Sequence, residues 1–164
     1  MTRVFDGEGC RVILDDVHYP LLISRWEGTL TSQVARDSFV AVHEVFARAQ
    51  ARGELVWSVV DAIDTQRPDA LTRKTLQEIN DDGEQRYPGV LRKPTYAAMT
   101  NVIIRGAVTA MRWISTSIID LEAHATMEEA LTAALASMRA AGIEPELPLD
   151  PATYDTTGAK GKSA

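Results

Sequence analysis

The stretch from Glu54 to Pro68 constrains the fold of this chain most. Gly53 closes an amphipathic helical pattern, and Leu55 to Val60 then reads as an apolar strand. Its unbroken hydrophobicity predicts cover on both faces. A polar turn follows, and Pro68 suits the first turn of another helix. A doubly covered strand between two helices belongs to an α/β sheet. The turn after it falls at the carboxyl edge of that sheet, where such folds place ligands and regulatory residues. It offers Asp61, Asp64, Thr65, Gln66 and Arg67. It has no phosphate-cradling glycine run, no metal-ligand spacing and no nucleophile beside a base, so it marks a site without fixing its chemistry.

The same alternation runs along the chain. Arg11 to Leu14 and Leu21 to Trp26 predict two strands paired as a hairpin, because the link between them is too short for a crossover helix. Thr31 is suited to cap a helix whose inward stripe is Val34, Phe39, Val42, Phe46 and Ala49. In the next helix Leu71, Thr75, Leu76 and Ile79 form the inward set, and Asp81-Asp82-Gly83 ends it. Thr95 to Thr100 predicts a strand, Asn101 can cap a helix running to Ile114, and Ser117 to Leu121 reads as the last strand. Thr126 with Glu129 makes a capping box, Met127, Leu131, Ala134, Leu135 and Met138 form a buried stripe, and Gly142 supplies the stop. The expected fold is α/β: one mixed, largely parallel sheet covered by helices, in the order ββαβαβαβα, over residues 1–143. From Glu144 onward no periodicity is left, and residues 144–164 read as a disordered tail.

Composition excludes several functions. Among 164 residues, 17 basic side chains are scattered among 23 acidic ones for a net charge of -6, which argues against binding to a nucleic-acid backbone. The single cysteine, Cys10, cannot form an internal disulfide, and no Cys/His spacing suits a metal, so no cofactor or metal is expected. No apolar run approaches the roughly 18 residues of a membrane span. A cytoplasmic location without stable membrane insertion is therefore expected, and the many Arg and Ala residues fit a bacterial source.

The succession Tyr19 to Thr31, Val59-Val-Asp61, Arg105 to Trp113, and the capped helix around Met127-Glu-Glu-Ala130 resembles bacterial SpoIIAA-like proteins. These are relatives of STAS domains with a similarity to the SEC14 (CRAL-TRIO) fold. The resemblance spans roughly residues 10 to 142 and lies in order and hydrophobic pattern. It implies a small sheet-and-helix module, often a homodimer, working through a protein partner and without assigned catalysis. In STAS-type antagonists a Ser or Thr at the helix start after the central strand is phosphorylated. The matching stretch here is Asp61-Ala-Ile-Asp64-Thr65, which departs from the usual Asp-Ser-Ser-Gly-like pattern because Thr65 is its only hydroxyl. A phosphate at a helix amino terminus would meet free amides, and Arg67 could pair with it; the plainer role for Asp64 and Thr65 is turn and cap.

Other constellations are weaker. Asp15, Asp16, Asp61 and Thr100 occur in the order of a phosphoacceptor receiver, yet an apolar run from Leu21 replaces the first helix and no lysine follows the last strand. His18, His43 and His124 have no nucleophile tied to them, which disfavours a hydrolase. Trp26, Trp57, Met111 and Trp113 could line a pocket, although each sits within an expected element, where core packing is the commoner role. Asn101 and Arg105 could reach the same sheet edge as Thr65 and Arg67, making an anion-binding corner. The expected function is a non-enzymatic regulatory or protein-interaction module, with a small-molecule or lipid carrier as the alternative.

Overall fold

The computed structural model describes residues 1–99 and 120–155. Among these residues the chain forms seven strands and three helices. In order they are β1 (Thr2–Gly7), β2 (Cys10–Asp15), β3 (Leu21–Thr29), α1 (Ser32–Arg52), β4 (Trp57–Asp61), β5 (Thr65–Gln66), α2 (Ala70–Arg86), β6 (Thr95–Ala98), β7 (Leu121–His124) and α3 (Met127–Ala140). The sheet runs β1-β2-β3-β4-β6-β7, with the short β5 also on β3. Pairing is antiparallel from β1 to β3 and parallel from β3 to β7. The mixed α/β sheet is thus as expected, whereas the element order is not: β1 and β5 are additional, and β7 begins at the residue where the last strand was expected to end. The helix expected from Asn101 lies outside the described residues.

The period of two along the central strands divides the core. Leu21, Ile23, Trp57, Val59 and Tyr96 pack against Leu131, Leu135 and Met138 of α3. Leu14 and Leu22, from the opposite face, pack against Ala41, Val45 and Phe46 of α1. The helix signals behave as their chemistry requires. Thr31 accepts the Val34 amide, and Gly53 ends α1 in the left-handed region at φ 67°. In α3, Thr126 accepts the Glu129 amide while the Glu129 carboxylate takes the Ala125 amide, one residue before the ideal capping-box partner. Past its end, the Gly142 amide meets the Arg139 carbonyl and the Ile143 amide the Met138 carbonyl, a Schellman closure.

α2 differs from its expected form. It continues past Gly83 to Arg86, and Leu71, expected inside, is 67% exposed. The buried positions are Thr72, Thr75 and Gly83. α2 packs on α1 through small residues: Thr75 Oγ1 donates to Ser32 Oγ at 3.2 Å, and Ser32 Oγ lies 3.3 Å from Thr72 Oγ1. A Cβ on Gly83 would stand 3.0 Å from His43 Nε2, so this glycine is a close-approach residue rather than a stop. In α1 the buried face turns onto Ala35, Ser38, Ala41 and Val45, leaving Phe39 and Val42 half-buried.

The segment expected as a tail makes specific contacts up to Asp155. The Glu146 amide donates to the Tyr19 carbonyl at 2.7 Å, Leu149 and Tyr154 pack against the α3-side core, and the Tyr154 hydroxyl donates to Asp15 Oδ2 at 2.9 Å. It covers sheet that α3 does not reach. The Tyr154 phenol is held above its ordinary range, chiefly by burial and then by the Asp15 charge.

One backbone position is demanding. Gly28 lies in β3 at φ 71°, its amide donates to the Asp64 carbonyl at 3.0 Å, and a Cβ there would fall 2.0 Å from the Gly9 carbonyl oxygen. Gly28→Ala therefore combines left-handed strain with a backbone collision that no rotamer relieves. We expect a loss of at least about 2–3 kcal/mol in urea unfolding. A loss below about 0.5 kcal/mol would contradict this geometry.

Candidate functional site

At the carboxyl edge of the parallel strands, β3 and β4 bring one arginine among three carboxylates. Register places Arg25 opposite Asp61. The Arg25 Nε lies 2.9 Å from Glu27 Oε1 and 3.9 Å from Asp61 Oδ2, and Nη2 donates to Asp64 Oδ2 at 2.8 Å. Strand alternation accounts for the set, because residues 25, 27 and 61 project from the α3 side of the sheet. Asp61 is buried, and burial raises its carboxyl above the ordinary range, partly opposed by the Ile63 amide and by Arg25. That amide donates to Asp61 Oδ1 at 3.2 Å.

The turn after β4 is stitched back onto β3. Gly28 pairs with Thr65 and Thr29 with Gln66, while Thr29 Oγ1 donates to Gln66 Oε1 at 3.0 Å. Thr65 Oγ1 donates to the Trp26 carbonyl at 2.8 Å. Thr65 consequently sits in β5, not at a helix start. The amino terminus of α2 comes later and is capped by Asp69, whose Oδ1 accepts the Thr72 amide at 2.6 Å. That amide holds the exposed Asp69 carboxyl below its usual range. A phosphate on Thr65 would therefore not meet the free amides of α2, which corrects the helix-start geometry expected from sequence. Arg67 is exposed beyond β5.

Of the expected site residues, Asp61, Asp64 and Thr65 come together, with Arg67 at their margin; Asn101 and Arg105 lie outside the described residues. Arg25 and Glu27 were missed, although the strand signal from Leu21 to Trp26 and its parity placed Arg25 on the edge. Tyr154, on the same side of the sheet, had no sequence signal.

The two described tryptophans pack within core clusters. Trp57 is 1% exposed within the α3-side core, and its Nε1 donates to Ser137 Oγ at 3.0 Å. Trp26 is half-buried against Cys10, Val12, Leu30 and Val34. Met111 and Trp113 lie outside the described residues. Asp15 pairs with Ile23 and Asp61 with Arg25, so β3 and one ladder step separate the two aspartates. They do not form the shared acidic cradle of a receiver.

Elsewhere, a cleft of about 430 Å³ between the β2–β3 link and α1 is lined by Arg3, Asp16, Tyr19, Glu44, Arg48 and Glu146. Its cations are committed: Arg48 to Asp16 at 3.0 Å and Arg3 to Glu44 at 2.5 Å. The Arg48 guanidinium also covers the Tyr19 ring at 4.3 Å. The Tyr19 phenol is pushed up to about 12, chiefly by burial and then by its hydrogen bond to Glu54. Among the described residues no group of three His, Cys, Asp or Glu is placed to hold a metal ion, and no helix is long and apolar enough to cross a membrane. No protein-family model matches this sequence, and no curated protein matches it.

Proposed function

We propose that this chain is a non-enzymatic regulatory module of SpoIIAA-like type that acts in the cytoplasm through protein contacts. The observation that supports this reading is the internal pairing at the sheet's carboxyl edge. Arg25 is shared among Glu27, Asp61 and Asp64, and the Thr65 hydroxyl is spent on the Trp26 carbonyl. A catalytic edge keeps at least one acid, base or nucleophile directed at an open space. Here, among the described residues, the same residue types instead fasten β3, β4 and β5 to one another. The carrier alternative needs an apolar cavity, and of the four residues expected to line it, Trp57 is packed and hydrogen-bonded.

The test is a native mass spectrum of the protein purified from its own host. The expected result is an assembly with itself or with another protein, carrying no small-molecule adduct. A stoichiometric small-molecule adduct would favour the carrier, and a covalent phosphoryl mass would favour the phosphoswitch. A bare monomer would also overturn the contact reading.

A further inference from the structure

The segment after α3 lies on the sheet as a bound peptide lies in a groove. Residues 144–155 form no helix or strand, and eight of these twelve residues are exposed. Pro145, Pro148 and Pro151 recur every third residue, a spacing that suits an extended polyproline II path with little freedom left to lose on docking. The body of the protein reads this segment at four points. The Tyr19 carbonyl accepts the Glu146 amide at 2.7 Å, and His18 Nδ1 donates to the Leu147 carbonyl at 2.9 Å. Leu149 and Tyr154 rest on the cluster that Leu21 and Ile23 share with α3, and Asp15 Oδ2 accepts the Tyr154 hydroxyl at 2.9 Å. The His18 ring meets the Tyr154 ring edge-on, with centroids 5.8 Å apart. The seat thus recognises two backbone groups, one aliphatic side chain and a tyrosine five positions later.

This hold is shallow. Leu149 and Tyr154 are half-buried, and the ion pair of Glu146 with Arg52 at 3.7 Å is exposed and worth little. A segment with few buried contacts detaches at low free energy while the rest of the fold persists. The seat is also acidic where it holds the tyrosine. Asp15 pairs with Ile23 and Asp61 with Arg25, so both carboxylates stand on this face, with Glu27 and Asp64 beside them around Arg25. The segment itself carries Glu144, Glu146, Asp150 and Asp155 and no basic residue. Burial, and then the charges of Asp15, Asp155 and Asp61, keep the Tyr154 phenol protonated. Residues 144–155 therefore match the seat in shape and hydrogen bonding, and oppose it in charge.

We propose that this seat is a docking groove for an extended segment of a protein partner, with residues 144–155 closing it until that segment displaces them. The partner's segment carries an aliphatic side chain, a tyrosine five residues later, and lysine or arginine beside that tyrosine. The proposal rests on the contact reading above and names the partner's chemistry. A basic residue beside the tyrosine meets Asp15 and Asp61 with opposite charge, a complementarity the acidic strap lacks. Because the strap is tethered, it competes at an effective concentration on the order of millimolar, so it screens out segments that match the groove only weakly.

Fluorescence anisotropy with labelled synthetic peptides tests this on the full chain. The probes are residues 144–155, the same peptide with Asp155→Lys, and that peptide with Tyr154→Phe added. The Asp155→Lys peptide should bind the natural protein at least about tenfold more tightly than the unaltered peptide. Adding Tyr154→Phe should remove most of that gain. Tyr154→Ala in the protein, which loosens its own strap, should tighten binding of the Asp155→Lys peptide at least about tenfold. Equal binding of the charged and unaltered peptides, or no tightening in the Tyr154→Ala protein, would overturn the groove. Should circular dichroism show that Tyr154→Ala unfolds the protein, the peptide comparison on the natural protein decides. Failure of every peptide to bind, with another protein present in the native mass spectrum, would remove the groove and leave the contact reading intact.

Discussion

Trp57→Ala is expected to produce the largest loss of stability of any substitution considered. The indole is fully enclosed between β3, β6 and α3, touching the cluster of Leu21, Tyr96, Leu131, Leu135 and Met138. Removing it leaves a cavity whose walls belong to a sheet and a helix with little freedom to collapse, a change that costs roughly 3–5 kcal/mol. The Ser137 hydroxyl also loses its donor, at about 1 kcal/mol. Since whole domains are stable by only about 5–15 kcal/mol, the variant should unfold at much lower urea concentration, with an unchanged slope. Trp57→Phe separates the two effects, because it keeps most of the apolar volume and loses the hydrogen bond. A cost for Trp57→Ala below about 1 kcal/mol would mean that the ring faces open space, which is the behaviour of a pocket wall.

Arg25→Met should destabilise the protein in a pH-dependent way. Asp61 is buried, and its carboxyl already lies above the ordinary value because burial disfavours the charged form. Such a group binds its proton more tightly in the folded state. Stability is therefore highest below the unfolded value and declines as pH rises through the folded one. Arg25 limits that decline by favouring the carboxylate. Without it, Asp61 is raised further and the decline extends over a wider window. The penalty for Arg25→Met should be roughly 1.5–3 kcal/mol at neutral pH. It should shrink as pH falls toward about 3, below the ordinary aspartate value, where the carboxyl is mostly protonated in both states. Adding Asp61→Asn should remove most of the pH dependence. Urea unfolding of the single and double variants across this range measures it, and the assignment is falsified if the penalty is the same at both ends.

What could be read from the sequence was whatever local chemistry settles alone. Thr31, Gly53, Thr126 and Gly142 act on backbone amides and carbonyls within a few residues, so their helix ends were legible. The apolar run at the central strand required cover on two faces, and that requirement specified an α/β sheet. β1 was not legible, because alternate residues are exposed and Asp6-Gly7 resembles turn composition; its strand state depends on pairing with β2. α2 misled for a related reason. Its buried side is chosen by the small hydroxyls that allow α1 to approach, so Thr72 and Thr75 are inside while Leu71 faces water.

The candidate site divides in the same way. Asp61, Asp64 and Thr65 could be located from sequence because they follow a strand directly, and the carboxyl edge of a sheet is a property of chain direction. Their roles could not. Arg25 reaches them from a strand more than thirty positions away in the chain, through a parallel register that no local pattern encodes. Tyr154 reaches Asp15 from the segment that lacked periodicity. A single docked tyrosine needs no repeat to be held when a hydroxyl acceptor and an uncovered patch of sheet await it. Fold class, helix ends and the strand that carries the site were legible in the amino-acid order, because they follow from short-range hydrogen bonding and hydrophobic period. Which charges are shared and whether Trp57 is core were settled only in three dimensions, because they depend on distances between segments far apart in the chain.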